Sequence, residues 1–522
     1  MTEIDALHRP QFLPDLLIAA LARNGDRPAV HIDGEMRSAA QLRDEISRVV
    51  QAFSAHGVVS GDGVATLSKN RVEVLYSMGA VMVSGCRNTP LHPLGSLDDH
   101  AYVLEDAGIR TLLFDPPFTE RVRQLAERLP DLRLLSYGPA EIGEDLLAVA
   151  AKFEPAPLIG PAVQGEDLAS LAYTGGTTGK PKGVMNTYRA SAAMTQMMMA
   201  EWQWPDEVRH LICTPLSHAG ASMFVPVQLR GGSMFVLPTF EPGAVLDAIE
   251  RHRITTTMLV PSMIYALLDH PRFADADLSS LQTVYYGASA ISPARLREAI
   301  TKIGPVFFQF YGQSEAPMTL CVLRKEDHDV NDLARLATCG RPVPWARVAL
   351  LDADGRTVAK GQPGELCTRG PLVMRGYWNK PEETEAAIRD GWLHTGDVAR
   401  EDEHGFLTIV DRTKDMIVSG GFNIFPREVE DVLSTHPSVA AAAVVGVPDE
   451  KWGEAVKAVV VVRAGHTIDE AELIDLVKVH KGSHYAPKSI DVVDAIPVSP
   501  LGKPDKKALR ARYWSGADRF VN

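Results

Sequence analysis

Short apolar runs alternate along the first part of the chain with stretches that carry apolar residues at helical spacing. Runs such as 64–67 and 111–114 have the length of strands, whereas 73–83 and 243–252 have the spacing of helices. Strands that alternate with helices form parallel sheets, because each helix crosses over the sheet and covers one of its faces. The sequence therefore predicts an α/β fold of helix-covered parallel sheets.

The length of the chain and two changes of pattern divide it into domains. A chain of 522 residues is too long for one compact core. After Arg341 short strands and turns replace the alternation as far as Asp411, which predicts a β-rich subdomain. A helical pattern at 426–433 then opens a compact α+β module. We expect a large N-terminal domain at 1–413 and a small C-terminal domain at 414–522.

The charge of the chain limits its partners. Its formal net charge is −13 and its pI is near 5.7. An acidic surface of this kind disfavours binding to nucleic acid or to an anionic membrane. We therefore expect small-molecule partners and no nucleic acid.

Cysteine spacing and hydropathy bear on the location of the protein. The five cysteines are widely spaced and form no Cys-x-x-Cys pair, so neither a disulfide framework nor a zinc site is predicted. Residues 1–14 lack the basic start and apolar core of a signal peptide, and no apolar run reaches membrane-spanning length. We expect a cytoplasmic protein without a transmembrane segment, and the sequence leaves its oligomeric state open, a homodimer included.

A loop rich in glycine, threonine and lysine follows the apolar run 168–172. Glycines let the backbone approach an anion closely, threonine hydroxyls donate hydrogen bonds, and lysines supply charge. This pattern predicts a phosphate-binding loop, although a solvated turn explains the segment equally well when it is taken alone. The candidate residues are Thr174, Gly175, Gly176, Thr177, Thr178, Gly179, Lys180 and Lys182.

The spacing within this loop differs from that of the P-loop NTPases. Those enzymes place four residues between the first glycine and the Gly-Lys pair, which Ser or Thr follows. Here three residues separate Gly175 from Gly179, and Pro181 follows Lys180. The spacing argues against an ordinary P-loop NTPase.

The loop and several later blocks together resemble the adenylate-forming superfamily, which contains acyl-CoA synthetases, amino-acid adenylation domains and luciferases. The blocks occur in the order of that family and span essentially the whole chain. They are Tyr-Gly-Gln-Ser-Glu at 311–315, His-Thr-Gly-Asp at 394–397, Asp-Arg-Thr-Lys-Asp at 411–415, Gly-Gly-Phe-Asn at 420–423 and Pro-Val-Ser-Pro-Leu-Gly-Lys at 497–503.

The resemblance implies how the chain binds ATP and Mg²⁺. The glycine-rich loop holds the β- and γ-phosphates, and Glu315 helps to hold a Mg²⁺ that bridges phosphate oxygens. Asp397 accepts hydrogen bonds from the ribose hydroxyls, with Arg412 assisting. The adenine ring lies against Tyr311. The remaining nucleotide-site residues implied are Gly287, Ala288, Ser289, Gln309, Gly312 and Ser314.

The resemblance also implies a catalytic lysine and a domain rotation. Lys503 contacts both the substrate carboxylate and the α-phosphate during adenylation. Lys414 occupies the hinge position, so the small domain rotates after adenylation and withdraws Lys503. The rotation brings Gly420, Gly421 and Asn423 to line a tunnel for the thiol of coenzyme A.

The acyl pocket is marked by His218, which the resemblance places at the acyl group as a lining or gating residue; a core or capping histidine remains an alternative. Ser217 stands where relatives carry an aromatic residue, and 217–220 contain no Asp to pair with an amino group, which argues against an α-amino acid. Five apolar residues are candidates for the pocket wall and favour a hydrophobic acid. They are Met223, Met263, Tyr286, Phe310 and Met318.

These observations predict an AMP-forming carboxylate–CoA ligase. ATP activates a fatty, alicyclic or steroid-derived, or aryl acid to an acyl-adenylate, and coenzyme A then takes the acyl group. Two alternatives remain: a ligase that loads a separate acyl-carrier protein, since no carrier domain follows Lys503 in this sequence, and a non-catalytic nucleotide-binding protein.

Overall fold

The computed structural model describes residues 10–32, 34–174, 181–412, 415–419, 422–449, 452–498 and 504–514. Contacts between Cα atoms divide the chain into two compact units. The first comprises residues 1–288, 306–320 and 369–391, and the second comprises 289–305, 321–368 and 392–522.

The strands are, in chain order, β1 (Pro28–Ile32), β2 (Glu35–Ser38), β3 (Gly63–Leu67), β4 (Arg87–Leu91), β5 (Thr111–Phe114), β6 (Arg133–Ser136), β7 (Glu144–Asp145), β8 (Leu168–Thr174), β9 (Lys182–Thr187), β10 (Arg209–Ile212), β11 (Ser233–Val236), β12 (Thr256–Leu259), β13 (Thr283–Gly287), β14 (Phe307–Gln313), β15 (Ala316–Leu323), β16 (Arg341–Pro342), β17 (Arg347–Leu351), β18 (Gly364–Arg369), β19 (Ile388–Arg389), β20 (Trp392–Glu401), β21 (Leu407–Arg412), β22 (Ile417–Ser419), β23 (Phe422–Ile424), β24 (Val439–Asp449), β25 (Gly453–Val462) and β26 (Ser489–Val492).

The α-helices are α1 (Leu13–Asn24), α2 (Ala39–Ala55), α3 (Val72–Val83), α4 (Leu97–Asp106), α5 (Thr119–Arg128), α6 (Leu146–Ala150), α7 (Tyr188–Glu201), α8 (Phe224–Leu229), α9 (Pro242–His252), α10 (Pro261–Leu268), α11 (Pro293–Ile303), α12 (Leu333–Leu336), α13 (Pro381–Ala387), α14 (Pro426–Leu433), α15 (Glu470–Lys481) and α16 (Lys506–Ala511). Short 3₁₀ helices lie at Pro116–Phe118, Ala219–Met223, Pro271–Asp275 and Lys325–Asp327.

Two mainly parallel sheets form the first unit. One has the order β7-β6-β5-β3-β4-β8-β9, in which only β9 runs antiparallel to its neighbour. In the other, the strands from β15 to β2 follow the order β15-β14-β13-β12-β10-β11-β1-β2, with parallel pairing from β14 to β1. The prediction of helix-covered parallel sheets is confirmed.

Helix α2 shows how local sequence sets these elements. The Ser38 hydroxyl accepts the N–H of Gln41, whose side chain accepts the N–H of Ser38, so the helix starts in a capping box. Its apolar residues recur at helical spacing, and Ile46 among them is fully buried. A Cβ at Gly79 of α3 would lie 2.6 Å from Ile46 Cδ1, so the two helices can approach this closely only because that residue is glycine.

The second unit contains the β-rich segment and the α+β module. Strands β17, β18, β20 and β21 follow one another across one sheet, and β23-β22-β25-β24 form a second sheet, to which β26 adds in parallel beside β25. Apolar side chains of α14 and α15 pack on the second sheet, as with Val429 and Leu473, both completely buried. The helix predicted at 426–433 is α14.

The domain boundary predicted between residues 413 and 414 stays a prediction, because both residues lie outside the described part of the chain.

Within the described residues, no helix is both long and apolar enough to span a bilayer.

Candidate active site

The glycine-rich loop connects two antiparallel strands of the first unit. Thr174 at the end of β8 lies opposite Lys182 at the start of β9. The segment is therefore a hairpin, unlike the strand–loop–helix of a P-loop NTPase, which agrees with the spacing argument. Six of the predicted ligands lie outside the described residues, namely Gly175, Gly176, Thr177, Thr178, Gly179 and Lys180.

Tyr377, which the sequence did not single out, lies between two predicted site residues. Its hydroxyl donates to Oε1 of Glu315 at 2.9 Å, and its ring centroid lies 5.0 Å from Nζ of Lys182. Burial and, as a smaller effect, the charge of the nearby Glu315 carboxylate raise the pKa of the Tyr377 hydroxyl, so the hydroxyl remains a hydrogen-bond donor. A carboxylate and an ammonium thus share one aromatic neighbour.

A tight hairpin between β14 and β15 presents Glu315. A Cβ at Gly312 would lie 2.4 Å from the backbone nitrogen of Met318, so only glycine fits there. Met318 itself has a φ of 69°, an uncommon conformation for a residue with a side chain. The backbone N–H of Met374 donates to the Glu315 carbonyl at 2.8 Å. Hydrogen bonds therefore hold Glu315 both at its backbone carbonyl and at its half-buried carboxylate.

Such a carboxylate fits a magnesium site. Mg²⁺ is usually held in proteins by one or two carboxylates together with substrate phosphates and water. Glu315 is half-buried, and Tyr377 binds one of its oxygens, Oε1. The residues present therefore suit the ion that the resemblance implies.

The residues predicted for the adenine edge lie at the ends of neighbouring parallel strands. A Cβ at Gly287 would lie 2.3 Å from the carbonyl oxygen of Phe310, so the strands approach closely there. Ala288 follows with a φ of 64°. Gln309 is buried and accepts a hydrogen bond from the Tyr286 hydroxyl at 3.1 Å.

Three more predicted residues of this group are only partly exposed. Tyr311 and Ser314 belong to the segment around the Glu315 hairpin and are half-buried. Ser289 is also half-buried and falls in the second unit.

His218 lies on a loop that hydrogen bonds with the Asn70 side chain hold in place. The Asn70 amide donates to the carbonyl of Thr214 at 3.0 Å, and its oxygen accepts the N–H of Leu216 at 2.8 Å. The His218 ring contacts a hydroxyl and a second ring: its Nδ1 is 2.9 Å from the Ser217 hydroxyl, and its centroid is 4.9 Å from that of His92. His92, which sequence reasoning missed, has its pKa lowered by burial.

The proposed pocket-wall residues differ in exposure. Met223 and Tyr286 are completely buried. Phe310 stacks on Trp202 with centroids 5.1 Å apart. Met318 is buried as well, so four of the five candidates are packed in the core and Met263 is half-buried.

Within the second unit, two predicted ribose-binding residues face each other across a strand pair. Asp397 of β20 is the register partner of Arg412 of β21, and Asp397 is buried. The neighbouring strand β18 brings Glu365 and Cys367 close to His394, with ligand atoms of the three side chains within 4.8 Å of one another. The cysteine spacing gave no sign of this group, because only one of its members is a cysteine.

Lys503 and the hinge residue Lys414 lie outside the described residues. Val498 and Pro504, the described residues on either side of Lys503, form an antiparallel bridge, and α16 begins at Lys506. Nζ of Lys506 lies 2.8 Å from Glu430. Burial alone would lower the pKa of Lys506, but Glu430, Asp411 and Asp415 together raise it.

The residues predicted for the coenzyme A tunnel follow β22. Gly420 and Gly421 lie outside the described residues, and Asn423 of β23 is the register partner of Val418.

The sequence matches one family over most of its length. The sequence model of the AMP-binding enzyme matches residues 17–378, and that of the AMP-binding enzyme C-terminal domain matches 428–503. The medium/long-chain-fatty-acid–CoA ligase FadD8 of Mycobacterium tuberculosis is 54% identical over 99% of this chain and 93% of its own. A feruloyl-CoA synthase from an Amycolatopsis species is 37% identical over 93% of this chain and 96% of its own. The structure of the amide bond synthetase McbA from Marinactinospora thermotolerans superposes with a TM-score of 0.88 at 36% identity, over 95% of this chain and 99% of that one.

Proposed function

Starting from the membership of this chain in the AMP-binding enzyme family, we propose which acid it activates and which of its residues carry the reaction. The chain is an acyl-CoA synthetase, an AMP-forming carboxylate–CoA ligase that depends on ATP. In the first step the carboxylate attacks the α-phosphate of ATP, forming acyl-AMP and releasing pyrophosphate. In the second step the thiol of coenzyme A displaces AMP and gives the thioester.

The proposed acid is a medium- to long-chain fatty acid. The observation that carries this assignment is the 54% identity, over nearly the whole chain, to a ligase named for such acids. The absence of any Asp at 217–220 and the small side chain of Ser217 beside His218 agree with an apolar chain. An aryl acid is the second candidate, because a feruloyl-CoA synthase is 37% identical.

The chemical problem of the first step is electrostatic, since an anion attacks an anionic phosphate. We assign neutralisation to Thr174, Lys182 and the loop between them, and magnesium binding to Glu315. A bound Mg²⁺ supplies charge that offsets the phosphate oxygens. Tyr377 supports this arrangement because it holds the carboxylate of Glu315 through a hydrogen bond.

The nucleoside part of ATP is assigned to other residues. Asp397 accepts hydrogen bonds from the ribose hydroxyls, and Arg412 is its register partner on the neighbouring strand. Tyr311 lies against the adenine ring. The adenine edge is assigned to Gly287, Ala288, Ser289 and Gln309, with Gly312 and Ser314 in the adjoining hairpin.

We assign to Lys503 the contact with the substrate carboxylate and with the α-phosphate of ATP. Its ammonium stabilises the charge that develops between the carboxylate and the α-phosphate. We further propose that residues 414–522 form a mobile domain, that Lys414 is its hinge, and that Gly420, Gly421 and Asn423 bind coenzyme A after rotation. A cytoplasmic location belongs to the proposal, since all five cysteines are buried and none of them forms a disulfide.

The test is pyrophosphate release with ATP and Mg²⁺ across saturated fatty acids of increasing length, ferulate and an alicyclic acid. Each acid is assayed alone, with coenzyme A, and with a holo acyl-carrier protein. We expect release and thioester formation with the fatty acids and coenzyme A. A larger turnover with ferulate would overturn the fatty-acid assignment, and a thioester formed only on the carrier would overturn the acceptor.

Matched lysine variants complete this test. Lys503→Ala should abolish adenylation, whereas Lys507→Ala should not, because Lys507 lies on the same segment but is exposed. Equal loss in both variants would contradict the role of Lys503.

A further inference from the structure

The turn that carries Asp397 is a bulge between β18 and β20. Cys367 is the register partner of His394, but Glu365 is the partner of Val398, so three residues of β20 oppose one residue of β18. Gly396 within the bulge has a φ of 71°. A bulge of this kind breaks the ladder, so its backbone groups need partners other than the neighbouring strand.

Glu365 supplies those partners. Its Oε1 accepts the backbone N–H of Gly396 at 3.0 Å, and its Oε2 accepts Nδ1–H of His394 at 2.7 Å. One carboxylate therefore binds the bulge on both sides of Thr395. The carboxylate is about three-quarters buried, with 24% of the side chain exposed, and the His394 side chain is 11% exposed.

Thr395 completes the arrangement. Its hydroxyl donates to the carbonyl of Leu366 at 2.6 Å and accepts the N–H of Asp397 at 3.1 Å. The backbone of Asp397 is thus linked to β18 through Thr395. His394 and Gly396, on either side of Thr395, are linked to β18 through Glu365.

Cys367 adds a second interpretation of this cluster. Its Sγ lies 3.3 Å from Nδ1 of His394, and the cysteine, histidine and glutamate together could hold a metal ion. Both oxygens of Glu365 already accept N–H groups, however, and those groups belong to the bulge that presents Asp397. The hydrogen-bonding pattern favours a structural link to Asp397.

We propose that Glu365 is a positioning residue for nucleotide binding, which acts by holding the bulge so that the Asp397 carboxylate meets the ribose hydroxyls. This inference rests on the ribose role proposed for Asp397. A charge-assisted hydrogen bond is worth enough that its loss should weaken ribose-dependent binding roughly tenfold.

The test compares the affinities of the full-length protein for ATP and for 2′-deoxy- and 3′-deoxy-ATP by calorimetry, without acid. The variants are Glu365→Gln and His394→Gln, each of which removes one link to the bulge. Glu401→Gln is the matched control, since this glutamate lies at the end of β20, the strand that carries His394 and Asp397, and pairs with Lys360 at 3.3 Å. A melting curve for each variant verifies that it is folded.

We expect the wild type and Glu401→Gln to prefer ATP over both deoxynucleotides. In Glu365→Gln we expect ATP affinity to fall roughly tenfold, while the affinity for each deoxynucleotide, which keeps only one ribose hydroxyl, falls less, so that the preference narrows. A merely structural role would lower all three affinities together, and that result, or an unchanged preference in both variants, would overturn the proposal. If the wild type itself shows no preference, the ribose role of Asp397 fails, and the proposal fails with it.

Discussion

The hydroxyl of Tyr377 donates to Oε1 of Glu315 across 2.9 Å, joining a tyrosine after β18 to the hairpin that carries the proposed magnesium ligand. Replacing Tyr377 with Phe removes this hydrogen bond and leaves the ring near Lys182 in place. Because the bond orients a carboxylate, its loss should cost about 1 kcal/mol, or roughly a fivefold rise in the Mg²⁺ concentration that gives half-maximal pyrophosphate release.

The control for this variant is Tyr485→Phe. The Tyr485 hydroxyl donates to Glu428 at 2.8 Å, so this variant removes the same type of hydrogen bond from a tyrosine to which no part in magnesium binding is assigned. Calorimetric titration of the ATP-bound enzyme with Mn²⁺ gives a readout besides activity. Equal metal dependence in the wild type and Tyr377→Phe would contradict the role of Tyr377.

Much of the fold could be predicted because its signals are local. The capping box of Ser38 and Gln41 lies within four residues, and the periodicity of 426–433 lies within one helix. Contacts such as Tyr377 with Glu315 join residues 62 positions apart. Nothing in the neighbourhood of Tyr377 indicates its partner, because the partner is set by the packing of the sheets.

The same reason explains what was missed around Asp397. The block His-Thr-Gly-Asp identified the ribose-binding candidate through a resemblance, but Glu365 acts on that block from a strand about thirty residues earlier. The bulge that makes Glu365 necessary appears only when the two strands are placed in register. Sequence motifs therefore identified candidate ligands and missed the residues that orient them.

A buried ion pair should stabilise the segment after Lys503. Arg510 of α16 lies 2.8 Å from Asp415, and the two side chains are 15% and 14% exposed. Arg510→Ala leaves the Asp415 carboxylate without this partner, so we expect the free energy of unfolding to fall by about 2–3 kcal/mol.

A double-mutant cycle with Asp415→Asn measures the coupling between the two residues in chemical denaturation. The exposed Arg356 offers a control, because its pair with Asp354 is on the surface and should contribute little. Additive effects of the two substitutions at Arg510 and Asp415 would show that the pair contributes no coupling energy.

His210 should make the first unit sensitive to acid. Burial lowers its pKa to about 3, and its Nδ1 lies 2.8 Å from the Thr256 hydroxyl. The unfolded chain binds a proton near the ordinary histidine pKa, whereas the folded chain does not, so stability is present above that value and is lost as the pH falls. Between pH 7 and pH 5 the loss should be about 2 kcal/mol.

This loss is measured as the difference in pH dependence between the wild type and His210→Asn in denaturant titrations. His404→Asn, at an exposed histidine, is the control. If His210→Asn loses as much stability as the wild type over this pH range, the neutral buried imidazole is not the cause.

Ser217 should set the length of acid that the enzyme accepts. Its hydroxyl lies 2.9 Å from Nδ1 of His218, the residue predicted to line or gate the acyl pocket. Ser217→Phe adds a ring beside His218, which should reduce kcat/KM for the longest fatty acids by roughly tenfold or more and leave the shorter acids nearly unchanged. Ser217→Ala removes the hydrogen bond without adding volume, so it separates the two effects. Steady-state kinetics across the chain-length series gives the answer: a uniform fall across all lengths in Ser217→Phe would place Ser217 away from the end of the acyl chain.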